Sequence, residues 1–231
     1  MRPSMLARGV PAPDGEPRRS PVAVVIADDL TGANATGVLL VERGYRALSL
    51  LRADGPVLES ASRWLADVQR APAAFILDIA SRTVPPQEAA RRVRDGLEAI
   101  ASHVELSPTV SKRIASTLRG NGGAEVQAAG EWLGAGAFAV VTPAYPASGR
   151  IVVGGYLLVD GVPVTRTGAG RDPLSPVRSS HVPTLLRAQQ PWPVGHVELS
   201  VTLRGAEAVQ QALVDEVRAG RRLVVVDAVS D

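Results

Sequence analysis

The chain has 231 residues, enough for one large or two small domains with a sizeable core. Its 45% apolar share is that of a globular protein, and the net charge of +2 comes without a concentrated basic run, which excludes a nucleic-acid surface. With no cysteine there is no disulfide and no thiolate metal site, which fits a reducing cytoplasm; no apolar run reaches the about 18 residues of a membrane span.

Residues 1–20 are rich in Pro, Gly and Arg and lack the apolar centre of a secretory signal, so they read as a flexible tail. Residues 22–27, VAVVIA, read as a strand buried on both faces, the kind found in parallel sheets. The run stops at Asp28 and Asp29. Residues 30–32 read as a tight turn and 33–44 as a helix. A strand, 46–51, and an amphipathic helix, 58–69, follow. Residues 74–79 read as a third strand, ending at Ser81-Arg82. Pro85-Pro86 starts a helix that runs to about residue 100, with Glu88 in its first turn, where a negative charge suits the dipole. Residues 110–115 are a fourth strand, 122–133 a helix, and 137–142 a fifth strand. This alternation predicts an α/β fold with a doubly wound, mostly parallel sheet in one domain over 21–231.

The rhythm changes at residue 151. IVVGGYLLVDGVPV holds two apolar runs around Asp160-Gly161, a hairpin turn signal, so a β-hairpin is inserted after the fifth strand. Residues 165–177 read as a functional loop. A helix over 180–190, a strand over 196–201, a helix over 206–219 and a strand over 222–227 complete the chain.

Open α/β folds bind ligands at the carboxyl ends of their strands. Asp28 and Asp29 stand there, and two adjacent carboxylates after a buried strand read as function over simple helix capping. Arg82 and Arg119 also follow strands, beside Ser81 and beside Ser116-Thr117; a guanidinium fork suits a carboxylate. Gly120 to Gly123, with Asn121 among them, form a Gly-rich turn at a helix start whose N–H groups suit an anion. The turn fits neither GxxxxGK[ST] nor GxGxxG. Arg150 ends a second polar loop. Lys112 is the only lysine of the chain. His103, His181 and His196 show no metal-ligand spacing and read as structural or surface residues.

Five of these stretches, in order, resemble motifs of the four-carbon acid sugar kinase family: ADDLTGAN (27–34), SRTVPPQEAA (81–90), KRIASTLRGN (112–121), PAYPASGR (143–150) and DPLSPVRSS (172–180). The resemblance implies the amino-terminal, sugar-acid-binding domain of enzymes that phosphorylate threonate, erythronate or 3-oxo-tetronate with ATP and Mg2+. It implies that the nucleotide site lies mostly in a carboxy-terminal domain absent from this chain. The small-molecule partner would be a sugar acid, the macromolecular partners a carboxy-terminal half and a second copy in a homo-oligomer, and the location cytoplasmic. Asp28 and Asp29 would be the catalytic base and its orienting partner. Ser81, Arg82, Lys112, Ser116, Thr117, Arg119, Gly120, Asn121 and Arg150 would bind substrate. The chain departs from the pattern at Ala35, Ala80 and Ala115, where the family usually has carboxylates. Alanine neither accepts a hydroxyl hydrogen bond nor takes a proton. The departures therefore imply a different substrate or a binding subunit without turnover, and the isolated chain is expected to be inactive. A nicotinamide-dependent oxidoreductase would share the sheet, but no dinucleotide fingerprint follows the first strand.

Overall fold

The computed structural model describes residues 22–51, 53, 55–67 and 72–230. The tail expected over 1–20 lies outside them, as does the predicted end of the second helix. The described chain divides into two compact units: residues up to Ala80 with Arg92–Arg113, and Ser81–Arg91 with the residues from Ile114 on. Strands and helices alternate in both, as expected for an α/β fold, but the strands form two parallel sheets where the alternation reads as one. Alternation records that strands are parallel and not which strands pair.

In the first unit β1 (Val22–Ala27), β2 (Arg46–Leu50), β3 (Ala73–Asp78) and β4 (Leu106–Arg113) form a parallel sheet in the order β2-β3-β1-β4. The central pair, β1 and β3, are runs of Val, Ile, Ala and Phe buried on both faces, which is why they read as apolar without alternation. Helix α1 (Leu30–Glu42) packs buried Ala33 and Gly37 towards the sheet. α2 (Gly55–Asp67) follows β2. α3 (Pro86–Ala101) buries Val93, Leu97 and Ile100, a helical stripe.

Residues 30–32 are the first turn of α1 and not the expected free turn. Asp29 is the N-cap: its Oδ1 accepts the Gly32 N–H at 2.9 Å, so the helix starts three residues early.

In the second unit β5 (Ala139–Val141), β9 (Val194–Val197) and β10 (Leu223–Val226) form a parallel sheet in the order β5-β10-β9. The strand expected over 196–201 gives way at Leu199 to the short α6 (Leu199–Thr202). The flanking helices are α4 (Gly122–Leu133), α5 (Val182–Gln189) and α7 (Ala206–Arg218). The insertion is a three-stranded antiparallel meander, β6 (Arg150–Val153), β7 (Tyr156–Val159) and β8 (Val162–Pro163), rather than a single hairpin. Both turns are two residues long with left-handed backbone throughout: Gly154 and Gly155 at φ 57° and 75°, Asp160 and Gly161 at 50° and 76°. Residues 164–171 hold two 3-10 turns within the predicted loop. The core of this unit gathers Val141, Val152, Leu157, Val182, Leu186, Leu223 and Val225.

Candidate functional site

The predicted site residues fall on both units. In the first, the parallel register brings the strand ends of β1, β3 and β4 to one edge: Ala27 pairs with Asp78 on one side and with Arg113 on the other. Asp28 follows directly and is buried. Asp29 caps α1, the role set aside in the sequence reading, and Asp78 Oδ1 accepts the Ala80 N–H at 2.9 Å. Lys112 Nζ donates to the Arg113 carbonyl at 2.7 Å. This edge therefore sets three carboxylates beside two cations.

In the second unit an open groove of about 490 Å³ is bounded by residues 82–84, 118, 120–121, 174–179 and the inner side of α5. Arg82 and Arg178 supply cationic groups, and Ser175, Ser179, Thr184, Asn121 and Gln189 supply hydroxyl and amide groups. Leu118, Val177 and Leu185 make its apolar floor.

Each wall is held by polar bonds between residues far apart in sequence. Asn121 Nδ2 donates to the carbonyls of Ser81 and Val84 at 3.0 and 2.9 Å. The buried Ser81 hydroxyl donates to Glu125 Oε1, itself buried in the first turn of α4. Gly120 has φ +85°, and a Cβ there would stand 3.2 Å from the Arg82 carbonyl oxygen, so any side chain would be both strained and crowded where the two loops meet. Leu118 also takes left-handed backbone, φ 60°, uncommon for a bulky residue, and stays buried. Gln189 fastens the turn to α5: Nε2 donates to the Gly120 carbonyl at 3.1 Å and Oε1 accepts the Gly123 N–H at 2.7 Å.

Arg119 Nη1 meets Asp172 Oδ2 at 3.0 Å. Asp172 Oδ1 also accepts the N–H groups of Leu174 and Ser175 at 3.0 and 2.8 Å. The Ser175 N–H first, then the Arg119 guanidinium and the Leu174 N–H, hold the Asp172 carboxyl down to about 2. Arg119 thus braces the 172–177 wall. Ser116 and Thr117 occupy a half-buried turn before it. Arg150 begins β6, donates to the Ser148 carbonyl at 2.8 Å, and is not among the groove's lining residues.

A further polar centre lies at the end of β10. Asp227 is fully buried and accepts four bonds: from the N–H groups of Gly154, Gly155 and Leu199 at 2.6, 2.9 and 3.0 Å, and from His196 Nε2 at 2.8 Å. His181 Nδ1 is 2.7 Å from Thr184 Oγ1, and burial, then the His196 charge, lower the His181 pKa. Two of the three histidines, separate in sequence, so belong to one polar region with a structural carboxylate.

Glu125, Asp172, Gln189 and Asp227 escaped sequence reading. Asp172 carried a signal, an Asp-Pro followed by Ser that suits a side-chain-capped turn. Neither Glu125 nor Gln189 carried a signal. Among the described residues no three His, Asp or Glu side chains are grouped to hold a metal ion, and no helix is long and apolar enough to cross a membrane. The 120–123 turn does not fit nucleotide phosphates, because Gln189 occupies the Gly123 N–H and both Asn121 amide bonds go to backbone carbonyls.

Residues 23–231 match the family described as sugar-binding N-terminal domain. The chain is 44% identical over 206 residues to a D-erythronate kinase of Heliobacterium modesticaldum, covering 89% of this chain and 44% of that one. It is 38% identical over 211 residues to a D-threonate kinase of Salmonella typhimurium, covering 90% and 46%. The chain thus spans less than half the length of these curated relatives. Among solved structures, a Haemophilus influenzae protein aligns with a TM-score of 0.75 and 28% identity over 90% of this chain and 48% of that one. A Bordetella bronchiseptica protein, a domain-swapped dimer with bound citrate, aligns with a TM-score of 0.71 and 34% identity over 91% and 48%.

Proposed function

Because the chain belongs to the sugar-binding N-terminal domain family, whose members include kinases of four-carbon acid sugars, we propose that it holds the sugar acid for an ATP-dependent phosphoryl transfer. The groove of the second unit carries this reading. A carboxylate wants a guanidinium fork and a polyol wants fixed hydroxyl partners; Arg82, Arg178, Ser175, Ser179 and Thr184 supply both around one opening. The citrate bound to the Bordetella protein, itself a hydroxylated carboxylic acid, supports a ligand of this class, and its domain-swapped dimer supports self-association.

In this reading Arg82 grips the acid, while Arg119, Gly120 and Asn121 hold the walls around it. ATP and Mg2+ are the phosphoryl donor and its ion in this reading. Phosphoryl transfer needs both reactants positioned, and the groove positions the acid.

Calorimetry with D-erythronate and D-threonate tests the proposal. Arg82→Ala should weaken binding by about ten- to a hundredfold, the worth of a charge-assisted bidentate pair, while the fold persists. Equal affinities in parent and variant would remove the groove from acid binding.

A further inference from the structure

Among the buried residues of α4, Gly123 to Val126 and Ala128 to Gly130, Glu125 alone is charged, and it is 1% exposed. Burying a carboxylate is costly, and an apolar residue would pack the same face without that cost. The Glu125 side chain receives the Ser81 hydroxyl, which is 0% exposed. Asn121 lies one helical turn earlier, at the N-cap, so both side chains face the same stretch of chain. Asn121 takes the carbonyls at the two ends of the 81–84 loop, and Glu125 takes its first side chain. Gly120 closes against the Arg82 backbone between them. Ser81 therefore faces away from the groove, and the residue after it lines the groove.

We propose that Glu125 is a positioning residue for acid binding: through the Ser81 hydroxyl it fixes the 81–84 loop and so sets where Arg82 stands in the groove. The inference rests on the reading of the groove as the acid site. It assigns Ser81 to the support of the loop rather than to contact with the ligand. Glu125 acts on the acid only through Arg82, so its effect must vanish when Arg82 is gone.

The test uses the full chain, D-erythronate as the calorimetric probe, and backbone hydrogen exchange at Thr83 and Val84. Ser81→Ala should weaken binding about tenfold, the worth of one hydrogen bond to a charged group, and speed exchange at Thr83 and Val84 while β5, β9 and β10 stay protected. Glu125→Gln keeps an oxygen that accepts the Ser81 hydroxyl and should retain the parent affinity. In an Arg82→Ala background, adding Ser81→Ala should cost nothing further, since residues acting through one contact are not additive. An equal Ser81→Ala penalty with and without Arg82, or unchanged exchange at Thr83 and Val84, would overturn the assignment. If the parent itself fails to bind D-erythronate, the groove reading falls, and the exchange comparison still decides whether Glu125 and Ser81 set the loop.

Discussion

The two parallel sheets end in polar edges built by different means. In the first unit Asp29, Asp78 and Lys112 stand at or next to strand ends and bond backbone groups one to three residues away along the chain. In the second unit the polar groups are tied across long stretches: Ser81 to Glu125, Gly123 to Gln189, Arg119 to Asp172, and Gly154 to Asp227 span 44, 66, 53 and 73 residues. A local edge forms with its own strand and helix. A cross-linked one exists only once distant segments have come together, and each tie is then shared by two loops.

The contrast can be broken most sharply at Asp227. Asp227→Ala leaves three backbone N–H groups and His196 without their common acceptor, and should cost about 3–5 kcal/mol, the range for breaking a buried charged network. Hydrogen exchange should show the loss at β6, β7 and α6 while β1 and β3 keep their protection. Uniform loosening of both sheets would show that the two edges are not independent.

A smaller effect is expected at the local edge. Asp29→Ala removes one cap and should cost about 1 kcal/mol, read as a lower denaturation midpoint with exchange raised only in the first turn of α1. Asp29→Asn or Asp29→Ser should restore most of it, because either side chain can cap. Failure of both replacements would mean that the carboxylate charge, and not the cap, is what that position supplies.

How much could be read in advance follows the same division. β1 and α4 take the bounds their residues foretell, because an all-apolar run and a Gly-flanked helical stretch are local signals. The first turn of α1 was misread because Leu30-Thr31-Gly32 looks like a turn until Asp29 is recognised as its cap. The meander was read one turn short, since Gly154-Gly155 makes as good a two-residue turn as Asp160-Gly161. Of the groove's two arginines Arg82 was legible as a residue type and Arg178 was not, and the Gly-rich turn was legible too. Their supports were not, because nothing near Glu125 marks Ser81 as its partner and nothing near Gln189 points to Gly123.

The least expected change is a pH effect confined to one wall of the groove. The Asp172 carboxyl, held to about 2 in the folded chain against its ordinary 3.8, favours the ionised form in the fold. Its stabilising contribution is therefore complete above about pH 3.8 and is lost as the pH falls towards 2. A carboxyl-resolved NMR titration should find a midpoint near 2, and Asp172→Asn should abolish the acid-side change in the 172–177 segment over that window. A midpoint near 3.8 would mean that the Ser175 N–H and Arg119 do not hold the wall in solution.

The order β5-β10-β9 has a consequence for how the second unit comes into being. β5 and β9 make no ladder with each other; each pairs with β10, the strand that comes last in the chain. As the polypeptide emerges from the ribosome, the first sheet can close once residue 113 is free, whereas the second must wait for residue 226, with two apolar strands exposed meanwhile. The pairing of residue 139 with residue 223 also makes the second sheet the slower of the two to form, because a loop of that length has to close before any contact repays it.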